Sequence, residues 1–153
     1  MYYWTDLYLH HDASNEQISR AIGDVFRVSP ARIAIHPVMS EETDVAWARP
    51  DLYALVQRDD FLETEERDPI FPIKLMVIVR QDNPEIDDHE ALVSITRALR
   101  QPVLSDNGDD GEDVWRLYWP DGTSTPVALD DDGRFDLKGT DLVRLESSQH
   151  VVA

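Results

Sequence analysis

Two stretches of this chain place their apolar residues at helical spacing. Between Ser14 and Arg27, apolar side chains recur three and four positions apart, and Gln17 forms a capping box with Ser14. The second stretch begins with Asp87 and Glu90, which have the same spacing as a capping box, and its apolar residues continue at the helical period. The sequence therefore predicts two amphipathic helices, each with one face that must pack against another part of the protein.

Much of the remaining chain is typical of short β-strands separated by turns. The strand-like segments are rich in aromatic or β-branched residues. They cover residues 2–9, 32–36, 52–57, 73–79, 103–104, 114–119 and 123–129. The segment 73–79 is almost entirely apolar, which predicts a central strand covered on both faces. Pro120 and Gly122 predict a tight turn, and hence a hairpin, between the last two strands.

The order of these elements predicts an α+β fold. Two amphipathic helices on one face of a mainly antiparallel sheet would bury both apolar faces, so we expect a two-layer sandwich. The strand, helix, strand order at the start allows a ferredoxin-like arrangement. Residues 1–153 have the length of a single domain, and we expect the C-terminal end to be mobile from about residue 146.

The formal net charge of -17 narrows the classes of partner. Such a charge repels the phosphates of nucleic acids and anionic lipids and favours encounters with basic proteins or cations. A hydrophobic content of 42% indicates a folded core rather than a disordered acidic chain. Cysteines are absent, and neither a signal peptide nor a membrane span is recognisable. We expect a cytoplasmic protein that binds neither nucleic acid nor membrane, although general adaptation of the composition would explain the charge equally well.

Two segments concentrate the acidic residues. In the first, residues 59–68, Phe61 lies inside a run of carboxylates, as an anchor lies inside the charged rim of a protein-binding surface. Alternatively, Phe61 only secures this segment to the core. The second segment, DNGDDGED at 106–113, lacks the ligands that an EF-hand calcium loop needs at its third and twelfth positions. It is then either a solvated turn or a partner-facing loop.

His10, His11 and Asp12 form the cluster that best suits metal binding or acid–base chemistry. However, adjacent side chains of a strand point to opposite faces, and the spacing matches no common zinc motif. Glycine-rich phosphate loops and the GxSxG nucleophile elbow are also absent from the sequence. The sequence thus predicts no cofactor and no catalytic residue, with a small metal-dependent hydrolase built on these three residues as the alternative.

In its size, its charge and its acidic segments DDFLETEERD and DNGDDGED, the chain resembles the small acidic immunity proteins of bacterial polymorphic, contact-dependent and type VI toxin systems. The resemblance implies a non-catalytic protein that binds a cognate toxin with a basic surface, its carboxylates replacing the phosphate of the toxin's substrate. A structural or assembly subunit is a further alternative. The predicted contact residues are Asp59, Asp60, Phe61, Glu63, Glu65, Glu66, Asp106, Asp109, Asp110, Glu112, Asp113 and Trp47.

Overall fold

The computed structural model describes residues 2–38, 48–60, 70–81, 85–106 and 114–128. The end predicted to be mobile, from about residue 146, lies outside these ranges. The helices are α1 (Asn15–Phe26) and α2 (Asp88–Leu99), and a short 3₁₀ turn covers Pro30–Arg32. The strands are β1 (Tyr2–Leu9), β2 (Ile33–Pro37), β3 (Ala54–Asp59), β4 (Ile73–Val79), β5 (Val103–Ser105), β6 (Val114–Tyr118) and β7 (Ser124–Ala128). In the described ranges, no helix combines the length and apolar character needed to cross a membrane.

The strands form one sheet in the order β2-β3-β4-β1-β5-β6-β7. Each neighbouring pair is antiparallel except β2 and β3, which run parallel. Apart from β2 and the β6–β7 hairpin, the elements follow the β-α-β-β-α-β order of the ferredoxin-like motif. The predicted α+β fold with a mainly antiparallel sheet is therefore confirmed, and β4 is an interior strand as its apolar sequence predicted.

Capping side chains determine where each helix begins. The Ser14 hydroxyl accepts a hydrogen bond from the N–H of Gln17, and the Gln17 side chain accepts one from the N–H of Ser14. This is the capping box that the sequence predicted. At the start of α2, the carboxylate of Asp87 accepts a bond of 3.0 Å from the N–H of Glu90. Both helices thus begin within one residue of their predicted caps.

Gly23 lets the chain turn back closely at the end of α1. Arg27 adopts the left-handed conformation with φ 58°, and the N–H groups of Arg27 and Val28 both reach the Gly23 carbonyl. A Cβ atom on residue 23 would lie 2.8 Å from the carbonyl oxygen of Val28. Glycine occupies this helical position because the returning backbone leaves no room for a side chain.

Both helices pack on the same face of the sheet, as predicted. The shared core cluster combines residues of α1 and α2 with alternate residues of β1, β3 and β4: Ile18, Ala21, Ile22, Phe26, Leu92, Ile95, Leu7, Leu9, Val56, Leu75 and Val77. Burying a Leu, Ile or Val side chain contributes roughly 1.5–3 kcal/mol relative to leaving it exposed. This layer therefore holds the helices against the sheet.

The opposite face of the sheet is covered unevenly. Over β5, β6 and β7, a second buried cluster consists of Phe71, Leu104, Leu117, Trp119 and Val127. In the middle of this face, Lys74, Met76 and Ile78 of β4 are only half buried. The prediction that β4 is covered on both faces is therefore right for the helix-packed face, whereas polar neighbours share the other face.

Candidate functional site

The two predicted acidic segments leave the sheet at opposite ends. Asp59 is the last residue of β3 and pairs with Lys74 at the beginning of β4. Asp106 follows Ser105, the last residue of β5, which pairs with Leu7 of β1. The successive antiparallel pairings from β3 through β4 and β1 to β5 make β3 and β5 run in opposite directions. The starts of the two segments therefore do not lie on one common surface.

The carboxylate of Asp106 is engaged within the chain. Its Oδ1 accepts hydrogen bonds from the Thr5 hydroxyl at 2.9 Å and from the N–H of Asp6 at 3.0 Å. Its Oδ2 accepts one from the Tyr3 phenol at 2.5 Å. Burial raises the pKa of Tyr3, and the bond to Asp106 raises it further. Asp106, predicted as a partner contact, therefore joins the end of β5 to the irregular part of β1.

Asp6 and Lys74 form a partly buried ion pair on the helix-free face of the sheet. The Asp6 side chain is 16% exposed, and its carboxylate lies 3.5 Å from the Lys74 ammonium. Burial raises the pKa of Asp6; Lys74 opposes the rise, and the charge of Asp106 adds to it. The Oδ1 atom of Asp6 is buried and has no hydrogen-bond partner in the described part of the chain. Folding therefore disfavours the ionised form of Asp6.

At the other end of the sheet, Arg58 connects the first acidic segment to the turn between β1 and α1. Its guanidinium donates to Asp60 at 2.8 Å, Asp12 at 2.7 Å, the Ala13 carbonyl at 2.7 Å and the Asn15 side chain at 3.0 Å. Burial lowers the pKa of Arg58, but the bonds to Asp60 and Asp12 prevail and raise it. Asp60, a predicted partner contact, and Asp12, a predicted metal ligand in the hydrolase alternative, both accept hydrogen bonds from this one guanidinium.

His10 and His11 lie in a bend after β1, with ring centroids 4.3 Å apart. The His10 Nδ1 donates to the Ile70 carbonyl at 2.6 Å, since a carbonyl oxygen can only accept. The backbone of His11 exchanges two hydrogen bonds with the side-chain amide of Gln101. Asp12 is directed toward its ion pair. Across the described ranges, no group of three His, Asp or Glu side chains could hold a metal.

Most of the twelve predicted partner contacts lie outside the described residues. Of the twelve, the structure describes Asp59, Asp60 and Asp106. The remaining ones are Trp47, Phe61, Glu63, Glu65, Glu66, Asp109, Asp110, Glu112 and Asp113.

A groove opens between the end of α1 and the beginning of α2, where sequence reasoning predicted no site. Its volume is about 390 Å³, and its apolar lining includes Phe26, Ile86 and Ala91. Among the described residues, four acidic residues and one arginine also line it: Asp24, Glu85, Asp87, Glu90 and Arg27. We call this cavity the acidic groove. Acids near the start of a helix suit its dipole, so those around α2 do not by themselves indicate a site, and only folding brings them into one cavity with Asp24.

Asp24 is placed against the local preference of its helix. It lies in the last turn of α1, which contains no basic residue and where the helix dipole disfavours a negative charge by about 0.3–1 kcal/mol. Within the described part of the chain, the Asp24 carboxylate has no hydrogen bond or ion pair. Departures from local preference are expected at functional or strained sites, so Asp24 makes the groove a candidate for function.

Two exposed tyrosines lie at the same end of the sheet as the acidic groove. Tyr2 is 53% and Tyr3 52% exposed. The next residue, Trp4, packs its ring edge-on against Phe26 of the groove, with centroids 5.1 Å apart, and its indole N–H donates to Asp88 at 2.9 Å. Tyr3 pairs with Ile78 and therefore lies on the helix-free face of the sheet, whereas the groove lies between the helices on the other face. Tyrosine is enriched among the residues that anchor protein interfaces.

Comparison with known proteins gives no match to a family model, to a curated protein or to a solved structure. The functional proposal therefore rests on the charge and geometry of this chain.

Proposed function

We propose that this chain is a non-catalytic, cytoplasmic immunity protein that binds and neutralises a cognate bacterial toxin with a basic surface. The proposed toxin-facing part of the molecule is the end of the sheet that carries the acidic groove on one face and the exposed Tyr3 on the other, with Tyr2 at the start of β1. Neutralisation would follow from steric and electrostatic blocking of the toxin. No residue of this chain is assigned a chemical step, and no cofactor is assigned.

The observation that carries the proposal is the presence of exposed aromatic side chains and a carboxylate-lined groove at one end of the sheet. Protein interfaces obtain most of their affinity from a few anchors, and the charges around them provide steering and selectivity. Tyr2 and Tyr3 can serve as anchors, while Asp24 and Glu90 contribute charge. The sequence predicted an aromatic anchor within a rim of carboxylates around Phe61. We propose a second arrangement of this kind around Tyr2 and Tyr3.

The net charge of -17 supports the same function. A strongly negative protein attracts a basic partner over distances up to a Debye length, which is about 8 Å at physiological ionic strength. Toxins that act on nucleic acids or nucleotides need a basic active site to bind phosphate. Carboxylates at the surface of an inhibitor can occupy the positions of those phosphates.

Of the two predicted acidic segments, the one that begins at Asp106 starts beside Tyr3, at the end of the sheet that carries the groove. Asp59 and Asp60 lie at the opposite end, and Asp60 is bonded to Arg58. We therefore propose the Asp106 end of the molecule as the toxin-facing end.

The proposal is tested by capture and rescue. The tagged chain is incubated with lysate of the source organism at low salt, and proteins released by rising salt are identified by mass spectrometry. We expect one stoichiometric basic protein that arrests growth when expressed alone and is neutralised by co-expression of this chain. Glu90→Arg should weaken capture at least tenfold, whereas Glu16→Arg, the same reversal at the far end of α1, should change it less than twofold.

Two outcomes would overturn the proposal. One is a captured protein that is harmless when expressed alone, or whose toxicity this chain does not relieve. The other is a clean monomer that carries bound metal and captures no protein, which would favour the hydrolase alternative at His10 and His11.

A further inference from the structure

Hydrogen bonds at the Asp106 carboxylate connect β1 to the end of β5. The Tyr3 phenol donates to its Oδ2, and the N–H of Asp6 donates to its Oδ1 at 3.0 Å. We propose that Asp6 makes this connection a pH switch: protonated Asp6 donates a further hydrogen bond from its buried Oδ1 to the Tyr3–Asp106 pair, and ionised Asp6 does not. The switch controls how firmly the exposed Tyr3 side chain is held, and it does not require that a toxin binds.

The ionised carboxylate of Asp6 is poorly compensated in the fold. Its Oδ1 is buried and has no hydrogen-bond partner in the described part of the chain. Its Oδ2 lies 3.5 Å from the Lys74 ammonium, which is longer than the roughly 2.7–2.9 Å of a charge-assisted hydrogen bond. An ionised carboxylate can only accept hydrogen bonds, whereas a protonated one also donates. Protonation therefore lets the Oδ1 atom form a bond that the ionised atom lacks.

Acceptors for that proton lie beside Asp6. An ionised carboxylate has about four lone-pair sites. Within the described ranges, Asp106 uses three of them, for the Tyr3 phenol, the Thr5 hydroxyl and the Asp6 N–H. The Tyr3 oxygen also keeps its lone pairs when it donates its proton. A hydrogen bond from an O–H group to a carboxylate is stronger than one between neutral groups, so a protonated Asp6 reinforces the connection between β1 and β5.

The charges around Asp6 act in opposite directions. Among the described residues, the titratable groups that face it are Tyr3 and Tyr8 of β1, Lys74 of β4 and Asp106 after β5. Burial raises the pKa of Asp6, Lys74 lowers it, and the charge of Asp106 raises it again. The pKa of Asp6 stays above its ordinary value, so Asp6 takes up a proton at a higher pH than an exposed aspartate does.

The test is a pH titration of the isotope-labelled full chain, followed by NMR at the Asp6 carboxyl carbon and at the Tyr3 ring. We expect both to change with one midpoint, because ionisation of Asp6 removes its bond to the Tyr3–Asp106 pair. Above that midpoint, protection of the Asp6 amide against hydrogen exchange should fall about threefold or more, since its acceptor is then repelled by a second charge. The Tyr2 ring, which is similarly exposed, should not follow the transition.

Substitutions separate the switch from a general effect of pH. Asp6→Asn keeps a donor and is neutral at every pH, so its Tyr3 resonances at neutral pH should match those of the wild type in acid and should lack the transition. Lys74→Met should move the midpoint to higher pH, because it removes the cation that favours ionised Asp6. Asp106→Asn should move it to lower pH, because it removes a negative charge. Asp24→Asn, the same change on α1, should leave it unchanged.

A Tyr3 ring that does not follow Asp6, or midpoint shifts of the opposite sign in the Lys74 and Asp106 variants, would overturn the inference. So would a Tyr2 ring that follows as closely as Tyr3, since the whole end of the sheet would then be opening. If the wild type unfolds before Asp6 is protonated, the comparison at neutral pH decides. The amide of residue 6 should then be about threefold or more better protected in Asp6→Asn, a larger gain than at Leu9 of the same strand, and equal gains would refute the switch.

Discussion

Replacing Arg58 by methionine should destabilise the fold by about 2–4 kcal/mol. The Arg58 side chain is 15% exposed and donates to Asp12, Asp60, the Ala13 carbonyl and the Asn15 side chain. Methionine keeps an unbranched apolar stem, so most of the packing is retained while every donor is removed. The substitution therefore isolates the contribution of the hydrogen bonds.

The magnitude follows from the exposure of each partner. Asp12 is 85% exposed and Asp60 37%, so water replaces much of what they lose, and each ion pair contributes at most about 1 kcal/mol. Ala13 is 4% exposed. Leaving a buried acceptor such as its carbonyl unpaired costs about 1–3 kcal/mol, which makes this neutral group the largest part of the effect.

Urea unfolding followed by tryptophan fluorescence at pH 7 measures the difference. The matched control is Arg20→Met on α1, which removes the same charge from an exposed pair with Glu16 and should change the free energy of unfolding by less than about 0.5 kcal/mol. If the Arg58 variant unfolds at the wild-type midpoint with the wild-type slope, the guanidinium does not hold the turn between β1 and α1, and the reasoning is refuted.

The remaining predictions concern Gly23, Asp6 and Asp106. Gly23→Ala should destabilise the protein by about 1–3 kcal/mol, because the Cβ of alanine would meet the Val28 carbonyl at 2.8 Å. This loss should outweigh the gain of roughly 1 kcal/mol in helix propensity. A stabilised variant in the same urea assay would contradict the close approach, and Ser19→Ala serves as the control. Asp6→Asn should raise the free energy of unfolding at pH 7. The folded state raises the pKa of Asp6, so the stability linked to its proton is present in acid and is lost as the pH rises through the folded-state pKa. The advantage of the variant should therefore disappear toward acid pH in urea titrations, and an advantage independent of pH would exclude ionisation as its cause. Asp106→Ala should cost about 1–3 kcal/mol, because it leaves the Asp6 N–H without its acceptor, while the Thr5 hydroxyl keeps its bond to Ser105. Asp106→Asn keeps one acceptor and should cost less than about 1 kcal/mol. Equal losses in thermal unfolding would show that this bond does not determine the effect.

Local signals in the sequence were sufficient to predict those elements whose structure depends on residues close together in the chain. Ser14 and Gln17 identified the start of α1 because a capping box is complete within four positions. Likewise, Pro120 and Gly122 identified the last hairpin, in which Gly122 has φ 91° and donates to the Trp119 carbonyl at 3.0 Å. The apolar segment 73–79 predicted β4 over the same residues.

Most of the candidate site could not be predicted from the sequence. The acidic segments were visible as composition, but their departure from opposite ends of the sheet depends on the pairing of β3, β4, β1 and β5. The acidic groove combines Asp24 with Glu90, which lie in different helices. The one local indication was Asp24 itself, an acid in the last turn of a helix without a basic residue there.

The sequence by itself determined the helices, their caps, the interior position of β4, the last hairpin and the strong negative charge. These features depend on hydrogen bonds and side-chain periods that span a few residues, or on composition alone. Tertiary structure decided which carboxylates are held inside the chain and which face solvent. Asp106 bonds to Tyr3, Thr5 and Asp6, about a hundred positions away, and Arg58 bonds to Asp12. Such partners meet only because burying both helices on one face of the sheet sets the strand order, and no local pattern records that choice.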